Sequence, residues 1–350
     1  MTFQNVTMRP SEQPTGTVPS DARDWIKILS AYRAPNLRRS LWELAASLVP
    51  FLALWVLAYG ALQVWAPLAV VVALFNGMFL LRLFAIQHDC GHGAFLNNRR
   101  ASDWIGRSLG VLTLTPYTVW KRAHAIHHSH SGNLDTRGIG DIDTMTVAEY
   151  QALSAWGRFG YRLYRNPVVM FGIGPAYLFF FKHRLPFGLM SAGRQYWISA
   201  MGTNLSALCL LIGLYVIGGW QLLLFVYVPT TLTAASVGVW LFYVQHQFET
   251  THWDGAEDWK MHEAALHGSS HYDLPVVLRW LTANIGIHHV HHLYSRIPFY
   301  RLTEVLRDHK ELVESSRLTL RDSWACASLD LWCTETRRLV SFRSLRNMAG

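Results

Sequence analysis

Leu83-Phe84-Ala85-Ile86-Gln87-His88-Asp89-Cys90-Gly91-His92 is the stretch that decides the fold. Here an apolar run over residues 67–87, about long enough to cross a bilayer as a helix, passes directly into two histidines four residues apart. A gap of four returns to the same helical face, so His88 and His92 can point at one spot. Two further groups repeat this logic: His124-Ala125-Ile126-His127-His128 and His288-His289-Val290-His291-His292. Spacings of three and four bring His124, His127 and His128 together on one face, and likewise His288, His291 and His292. Neutral imidazole is the commonest protein ligand for zinc, copper and iron. Eight such ligands exceed what one metal uses, so the clusters predict a two-metal centre. A lone pair at this spacing is more often a surface or core feature. One such pair plus two triplets, in a chain with only 17 histidines, is not easily produced by chance.

The apolar runs around these clusters predict an all-α protein with four transmembrane helices, over about residues 45–65, 67–87, 198–217 and 220–244. No charged residue occurs from Ala45 to Leu81, and no Asp, Glu, Lys or Arg occurs between Gln195 and Gln247. The short connections Gly60–Ala66 and Gly218–Gln221 are also uncharged, whereas Arg33, Arg38, Arg39, Arg99, Arg100, Lys121, Arg122 and Arg194 crowd the outer flanks. By the positive-inside rule the two turns face out and the rest faces the cytosol. Residues 88–197 and 245–345 then form a cytosolic helical cap that holds the dimetal site. All three clusters share one side only if the chain crosses an even number of times between His128 and His288. The apolar segment 168–181 must therefore not span. It is short and contains Gly172, Gly174 and Pro175, which fits an interfacial or re-entrant helix. His246 falls where the fourth span leaves the bilayer, a position where an ionisable group is a functional candidate. As a ninth ligand it would give four nitrogens to one metal and five to the other. His130, His252, His262, His267, His271 and His289 are left as supporting or surface residues.

Composition bounds the rest. Hydrophobic residues make up 51% and charged residues 15%, an apolar balance that fits membrane helices joined to a polar cap. The net charge of +8 comes without a basic run or a nucleic-acid motif, so attraction to anionic lipid or an acidic redox partner accounts for it better than nucleic acid. The four cysteines (Cys90, Cys209, Cys326, Cys333) lack metal-site spacing and read as reduced thiols of a cytosolic face. Residues 1–40 are polar, carry Pro10, Pro14 and Pro19, and read as a flexible cytosolic tail without a signal-peptide core. The remaining domain is predicted over 41–345.

The histidine groups resemble the three histidine boxes of the integral-membrane fatty acid desaturases. The likeness extends through Gly93-Ala94-Phe95, Gly132-Asn133-Leu134-Asp135 and Asn284-Ile285-Gly286-Ile287, over roughly residues 40–345. It is nearest to the bacterial branch similar to acyl-lipid delta-12 (omega-6) desaturases. Gly268-Ser269-Ser270-His271-Tyr272-Asp273-Leu274-Pro275 fits that branch too, with His271 where an aromatic residue is common. The resemblance implies two iron ions, O2 as oxidant and a cis double bond introduced into a fatty acyl lipid or acyl thioester. It also implies electrons from an external ferredoxin-like or cytochrome b5-like carrier. No haem signature of a fused carrier domain occurs. The implied location is a bacterial inner membrane with the active site on the cytosolic face. Iron suits the ligand count, since a structural zinc site closes at four ligands. Asp89, Asp135, Asp141 and Asp143 are candidates to orient ligand imidazoles, against the plainer roles of helix capping and surface charge. A hydroxylase, acetylenase or carotenoid-modifying oxygenase would share this scaffold. A metal transporter or sensor would place its ligands within the spans, where this chain has none. A zinc protease lacks its His-Glu-x-x-His motif.

Overall fold

A computed structural model describes residues 22–138 and 140–348. Helix α1 (Ala22–Leu29) leads into α2 (Leu37–Val64) and α3 (Ala66–His92), followed by α4 (Arg99–Leu112) and α5 (Tyr117–His130). The short helices α6 (Val147–Ala152), α7 (Ala155–Arg165) and α8 (Gly174–Phe180) precede the long α9 (Arg194–Leu222) and α10 (Val228–His246). The remaining helices are α11 (Met261–His267), α12 (Val276–Leu281), α13 (His288–Leu293), α14 (Leu302–Asp308), α15 (Leu320–Cys326) and α16 (Phe342–Met348). The fold is mostly helical. Sequence reading missed its short strands: β1 (Met145–Thr146), β2 (His271–Asp273), β3 (Arg317–Thr319), β4 (Leu331–Cys333) and β5 (Arg338–Val340). They form a sheet of order β1-β4-β5 and a parallel pair β2-β3. At two or three residues each, they are too short for a period-two pattern to register in the sequence.

Three helical runs are long and apolar enough to cross a membrane: Leu37–Val64, Ala66–His92 and the 53-residue run Arg194–His246. The protein is an integral membrane protein. Asn36 starts α2 by accepting a hydrogen bond from the Arg39 amide at 3.0 Å. Trp65, extended at φ −163°, separates α2 from α3, with Pro67 in the first turn of α3 where its missing N–H costs nothing. The third run is no single rod, because Gly219 leaves helical geometry at φ 63°, ψ −165°, a conformation open essentially to glycine alone. The segment 168–181 forms a π-turn over Val169–Ile173 followed by α8, whose seven residues are too few to span. Phe171 sets this segment against α10 through edge contacts with Trp240 (4.9 Å) and Tyr243 (5.1 Å).

Helix α3 reaches past the apolar run 67–87 to His92, where Gly93 caps it at a left-handed φ of 69°. The first histidine pair thus rides on the last turns of the helix itself. One expectation shifts: the flexible tail read over residues 1–40 does not include Ala22–Leu29. Residues 1–21 lie outside the described residues, but Ala22–Leu29 is helical and buries Ala22, Trp25 and Leu29 in the largest apolar core, alongside Val290 of the third cluster and Ile287 just before it. An alternation of apolar residues at 22, 25 and 29 carries that packing face.

Helices α2 and α3 are locked by a buried charge cluster. Arg82 is 1% exposed and donates to Glu43 of α2 and to the Trp280 carbonyl of α12, with its guanidinium 4.1 Å from the centre of the Trp280 ring. Glu43 also meets the half-exposed Arg39 at 2.6 Å. The cysteines are all free, and Cys90, Cys326 and Cys333 are buried.

Candidate metal centre

Helix periodicity brings all nine candidate histidines together, but not as one cluster per box. His88, His92, His124, His128 and His291 form one group, and His127, His246, His288 and His292 form the other. Within each group the candidate ligand atoms lie within 4.8 Å of one another. Expecting each triplet to share one face was too coarse. On a helix, i and i+4 differ by about 40° of rotation whereas i and i+3 differ by about 60° in the opposite sense. His124 and His128 therefore stay together while His127 turns to the second group. In α13 the pair His288 and His292 joins the second group while His291 turns to the first.

The nitrogens converge closely. His128 Nε2 lies 3.1 Å from His124 Nε2 and 3.1 Å from His291 Nε2. His246 Nε2 lies 3.1 Å from His127 Nε2 and 3.0 Å from His288 Nε2, and His127 Nε2 lies 3.3 Å from His292 Nε2. Ligand nitrogens at about 2.1 Å from one cation are separated by roughly 3.0–3.4 Å, so these gaps are what a shared ion requires. Nε2 of His88 and of His92 is buried without a hydrogen-bond partner. A buried polar atom left unpaired costs about 1–3 kcal/mol, and a metal in the first group would satisfy both. Burial first, then the neighbouring imidazoles, holds His124, His128, His288, His291 and His292 well below the ordinary histidine range. Their rings are neutral at physiological pH, with lone pairs free to ligate.

The far sides of the rings are fixed by neighbours. His127 Nδ1 contacts the Asp141 carboxylate. His246 Nδ1 lies 3.2 Å from the Gly268 carbonyl, and His88 Nδ1 lies 3.4 Å from Asp89 Oδ1. Asp89 Oδ2 accepts from the Phe299 amide at 2.7 Å, so this carboxylate ties α3 to the segment after α13. Asp135 instead accepts from the Ala256 amide at 2.7 Å, and the contacts of Asp143 run through its backbone to Tyr164 and Arg165. Neither reaches a clustered imidazole. The histidines set aside earlier also bond elsewhere: His289 Nε2 to the Leu312 carbonyl (2.9 Å), His271 Nδ1 to the Val313 carbonyl (2.6 Å), His130 Nδ1 to the Ile126 carbonyl (3.1 Å) and His252 Nε2 to Asp254 (2.6 Å).

Sequence reasoning missed several contributors. Trp120 stacks on His124 at 4.7 Å and 16°, one turn before it on α5. Phe242 packs between His127 (5.0 Å) and His246 (5.3 Å), where i and i+4 on α10 could have marked it. Gly140 brings its loop against α5: a Cβ there would stand 2.9 Å from the Ala123 carbonyl and 3.2 Å from His127 Cβ, and φ is +81°. That approach lets Asp141 reach His127. A cleft of about 300 Å³, counting its open mouth, lies beside the second group, bordered by Ser131, Asp141, Phe242, His246, Gln247 and Trp253.

Comparison with known proteins agrees with this chemistry. The fatty acid desaturase family model matches residues 65–324. A fatty acid desaturase of Bacillus subtilis is 40% identical over 332 residues, covering 95% of this chain and 94% of that protein. More distant relatives include two proteins of Synechocystis. A sn-1 acyl-lipid omega-3 desaturase (ferredoxin) is 29% identical over 65% of this chain and 64% of its own length. A sn-1 oleoyl-lipid 12-desaturase is 27% identical over the same shares of each.

Proposed function

The chain belongs to the fatty acid desaturase family and is a membrane fatty acid desaturase, and from that premise we propose that its nine clustered histidines hold two iron ions, five on one and four on the other. The observation that carries this reading is the division of convergent, neutral nitrogens into two adjoining groups. The first offers one nitrogen more than a closed zinc site takes. When bound, two irons supply the redox capacity to remove two hydrogens from adjacent methylenes, O2 being reduced with two external electrons and two protons to two waters as the double bond forms.

The chain's own residues supply position. Asp141 and the Gly268 carbonyl hold His127 and His246 by their Nδ1 atoms, leaving each Nε2 turned inward. Trp120 and Phe242 wall the two groups with apolar rings. Neutral imidazoles spare the site the cost of buried carboxylate ligands.

The proposed topology has four crossings, with the Arg194–His246 run doubling back at Gly219. Ser199, near its start, accepts a hydrogen bond from the Thr118 amide of α5 (3.0 Å), and His246, at its end, meets His127 of the same helix. Its middle lies at the far end of α2, where Tyr59 donates to the Ile217 carbonyl at 3.3 Å. Such a path puts every histidine group at one membrane face. The distribution of Lys and Arg makes that face cytosolic. The substrate is a fatty acyl lipid and the electron donor a separate ferredoxin-like protein; two distant relatives are named for acyl-lipid substrates, and one of them for ferredoxin.

The test is expression in a host lacking polyunsaturated fatty acids, with lipids profiled by gas chromatography and mass spectrometry, beside a His128→Ala control. A new double bond absent from the control is expected, and its position gives the regiochemistry. An added oxygen atom in its place would move the protein to hydroxylation. No product with iron bound and a ferredoxin supplied would overturn the acyl-lipid substrate.

A further inference from the structure

Arg165, the last residue of α7, is 3% exposed, and among the described residues it forms no ion pair with a carboxylate. A buried guanidinium held by neutral acceptors alone is unusual, because desolvating the cation is costly unless its donors are well satisfied. Here Nη1 and Nη2 are spent on three separate segments, while the buried Nε has no hydrogen-bond partner. Nη1 donates to the Asp143 carbonyl (3.2 Å) and Thr144 Oγ1 (3.4 Å). Nη2 donates to Tyr243 Oη (3.0 Å), Gln247 Oε1 (3.1 Å) and the Leu329 carbonyl (2.7 Å). The acceptors are themselves linked, since Thr144 Oγ1 donates to Gln247 Oε1 at 3.1 Å and Tyr243 Oη donates to the Leu329 carbonyl at 2.8 Å.

Two of these segments lead to the same histidine group. Asp143 and Thr144 close the loop whose Asp141 carboxylate holds His127. Tyr243 and Gln247 bracket His246 at the end of α10, and the Gln247 amide donates to the Tyr243 carbonyl at 2.7 Å. We infer that Arg165 is a positioning residue for the four-histidine group, fixing His127 through the Asp141 loop and His246 through the end of α10, while the five-histidine group stands independent of it. Among the described residues, His88, His92, His124, His128 and His291 make no hydrogen bond to the Asp141 loop or to the end of α10, whereas His127 and His246 are tied to them directly. The inference rests on the proposal that each group holds one metal ion.

The experiment is iron content of purified full-length protein in detergent, by mass spectrometry, after equilibration with excess Fe(II) and exchange against a mild chelator. Wild type is expected to keep two equivalents; if it does not, the two-metal proposal itself fails. Arg165→Met is expected to keep about one. Arg165→Met with His288→Ala should still keep about one, whereas Arg165→Met with His92→Ala should keep almost none, which identifies the emptied group. Arg165→Lys restores charge and part of the donor set, and should raise retention of the second equivalent above that of Arg165→Met. If Arg165→Met does not fold, Asp141→Ala removes only one branch of the clamp and is expected to weaken the second equivalent by about 10–100-fold in chelator titration. The inference is overturned if Arg165→Met, or Asp141→Ala in its place, keeps two equivalents with wild-type chelator sensitivity. It is equally overturned if both equivalents are lost together, the signature of a merely structural role.

Discussion

Glu43→Gln tests whether the buried charge cluster, rather than apolar contact alone, locks α2 to α3. Arg82 and Glu43 have side chains 1% and 2% exposed, so neither can be rehydrated when its partner is lost. Removing the carboxylate charge leaves the Arg82 cation with neutral partners alone: an amide oxygen, the Trp280 carbonyl and the rings of Trp280 (4.1 Å) and Phe299 (5.5 Å). Stranding a buried charge in this way costs about 3–5 kcal/mol, of which the hydrogen bond still accepted by the amide oxygen offsets about 1. The expected net loss is therefore about 2–4 kcal/mol. Arg39→Ala removes the other partner of Glu43, but its side chain is 54% exposed, so the expected loss is below about 1 kcal/mol. Unfolding of the detergent-solubilised protein, followed by denaturant titration, reads both values. Replacing both members, Glu43→Leu with Arg82→Met, should recover most of the loss, because an apolar pair pays no desolvation penalty. A loss under about 1 kcal/mol for Glu43→Gln, or a double variant as unstable as the single, would refute the reasoning.

Gly140→Ala is expected to destabilise the Asp141 loop by roughly 1–2 kcal/mol, since alanine disfavours φ +81° and its methyl would press on the Ala123 carbonyl. Hydrogen exchange should show faster exchange in residues 140–144 with α2 and α3 unchanged. Stripping bound metal with a strong chelator should lower the thermal unfolding midpoint, and added Fe(II) should restore it, because binding to the native state alone stabilises by linkage. A midpoint indifferent to chelator would count against metal-coupled folding of the cap. Glu149 caps α6 and pairs with Arg137 at 2.6 Å, and the Arg137 guanidinium holds its carboxyl down to about 2. Its stabilising effect is thus complete above the ordinary carboxylate range and fades as pH falls from about 4.5 toward 2. Arg137→Met should flatten that part of the stability–pH curve, and an unchanged curve would sink the assignment.

The parts of this protein that were legible in its sequence are those governed by one short periodicity. Uncharged runs of bilayer length mark the long helices because hydrocarbon tolerates no charge along them. The histidines announce themselves because i, i+4 pairs share a helix face. His246 was readable by position, as the one ionisable residue where α10 ends. What stayed hidden depends on contacts across the fold. Asp141 and Asp135 look alike in sequence, yet only Asp141 meets a ligand ring, because Gly140 carries its loop against α5. Arg165 lies in an ordinary amphipathic helix, and only the pairing of α7 with α10 and the Leu329 segment makes it a clamp. The apolar run ends at Gln87, yet α3 continues through His92 to its cap at Gly93, as the shared face of His88 and His92 requires. Composition marks where apolar surface ends, and the backbone ends where a helix can be capped.

The triplet spacing itself explains how two histidine groups can be built from so few helices. A pair at i, i+4 serves one group, as His88 and His92 do. Adding a histidine at i+3 places a third ring about 60° around the helix from the first and 100° from its immediate neighbour, too far to share that group. Each triplet therefore bridges: α5 gives two rings to the first group and one to the second, and α13 gives one and two. Opposite use of the same spacing makes the totals complementary, five after His88 and His92 join and four after His246 joins. The adjacent residues His127–His128 and His291–His292 then straddle the boundary between the groups, and His128 stacks on His292 at 4.1 Å across it. Two rigid helices that each contact both groups set the separation of the sites through backbone geometry, which no side-chain rotamer can relax. That is the preorganisation the proposed two-metal oxidation needs, since ions left free to drift apart could not act on one oxidant and one methylene pair.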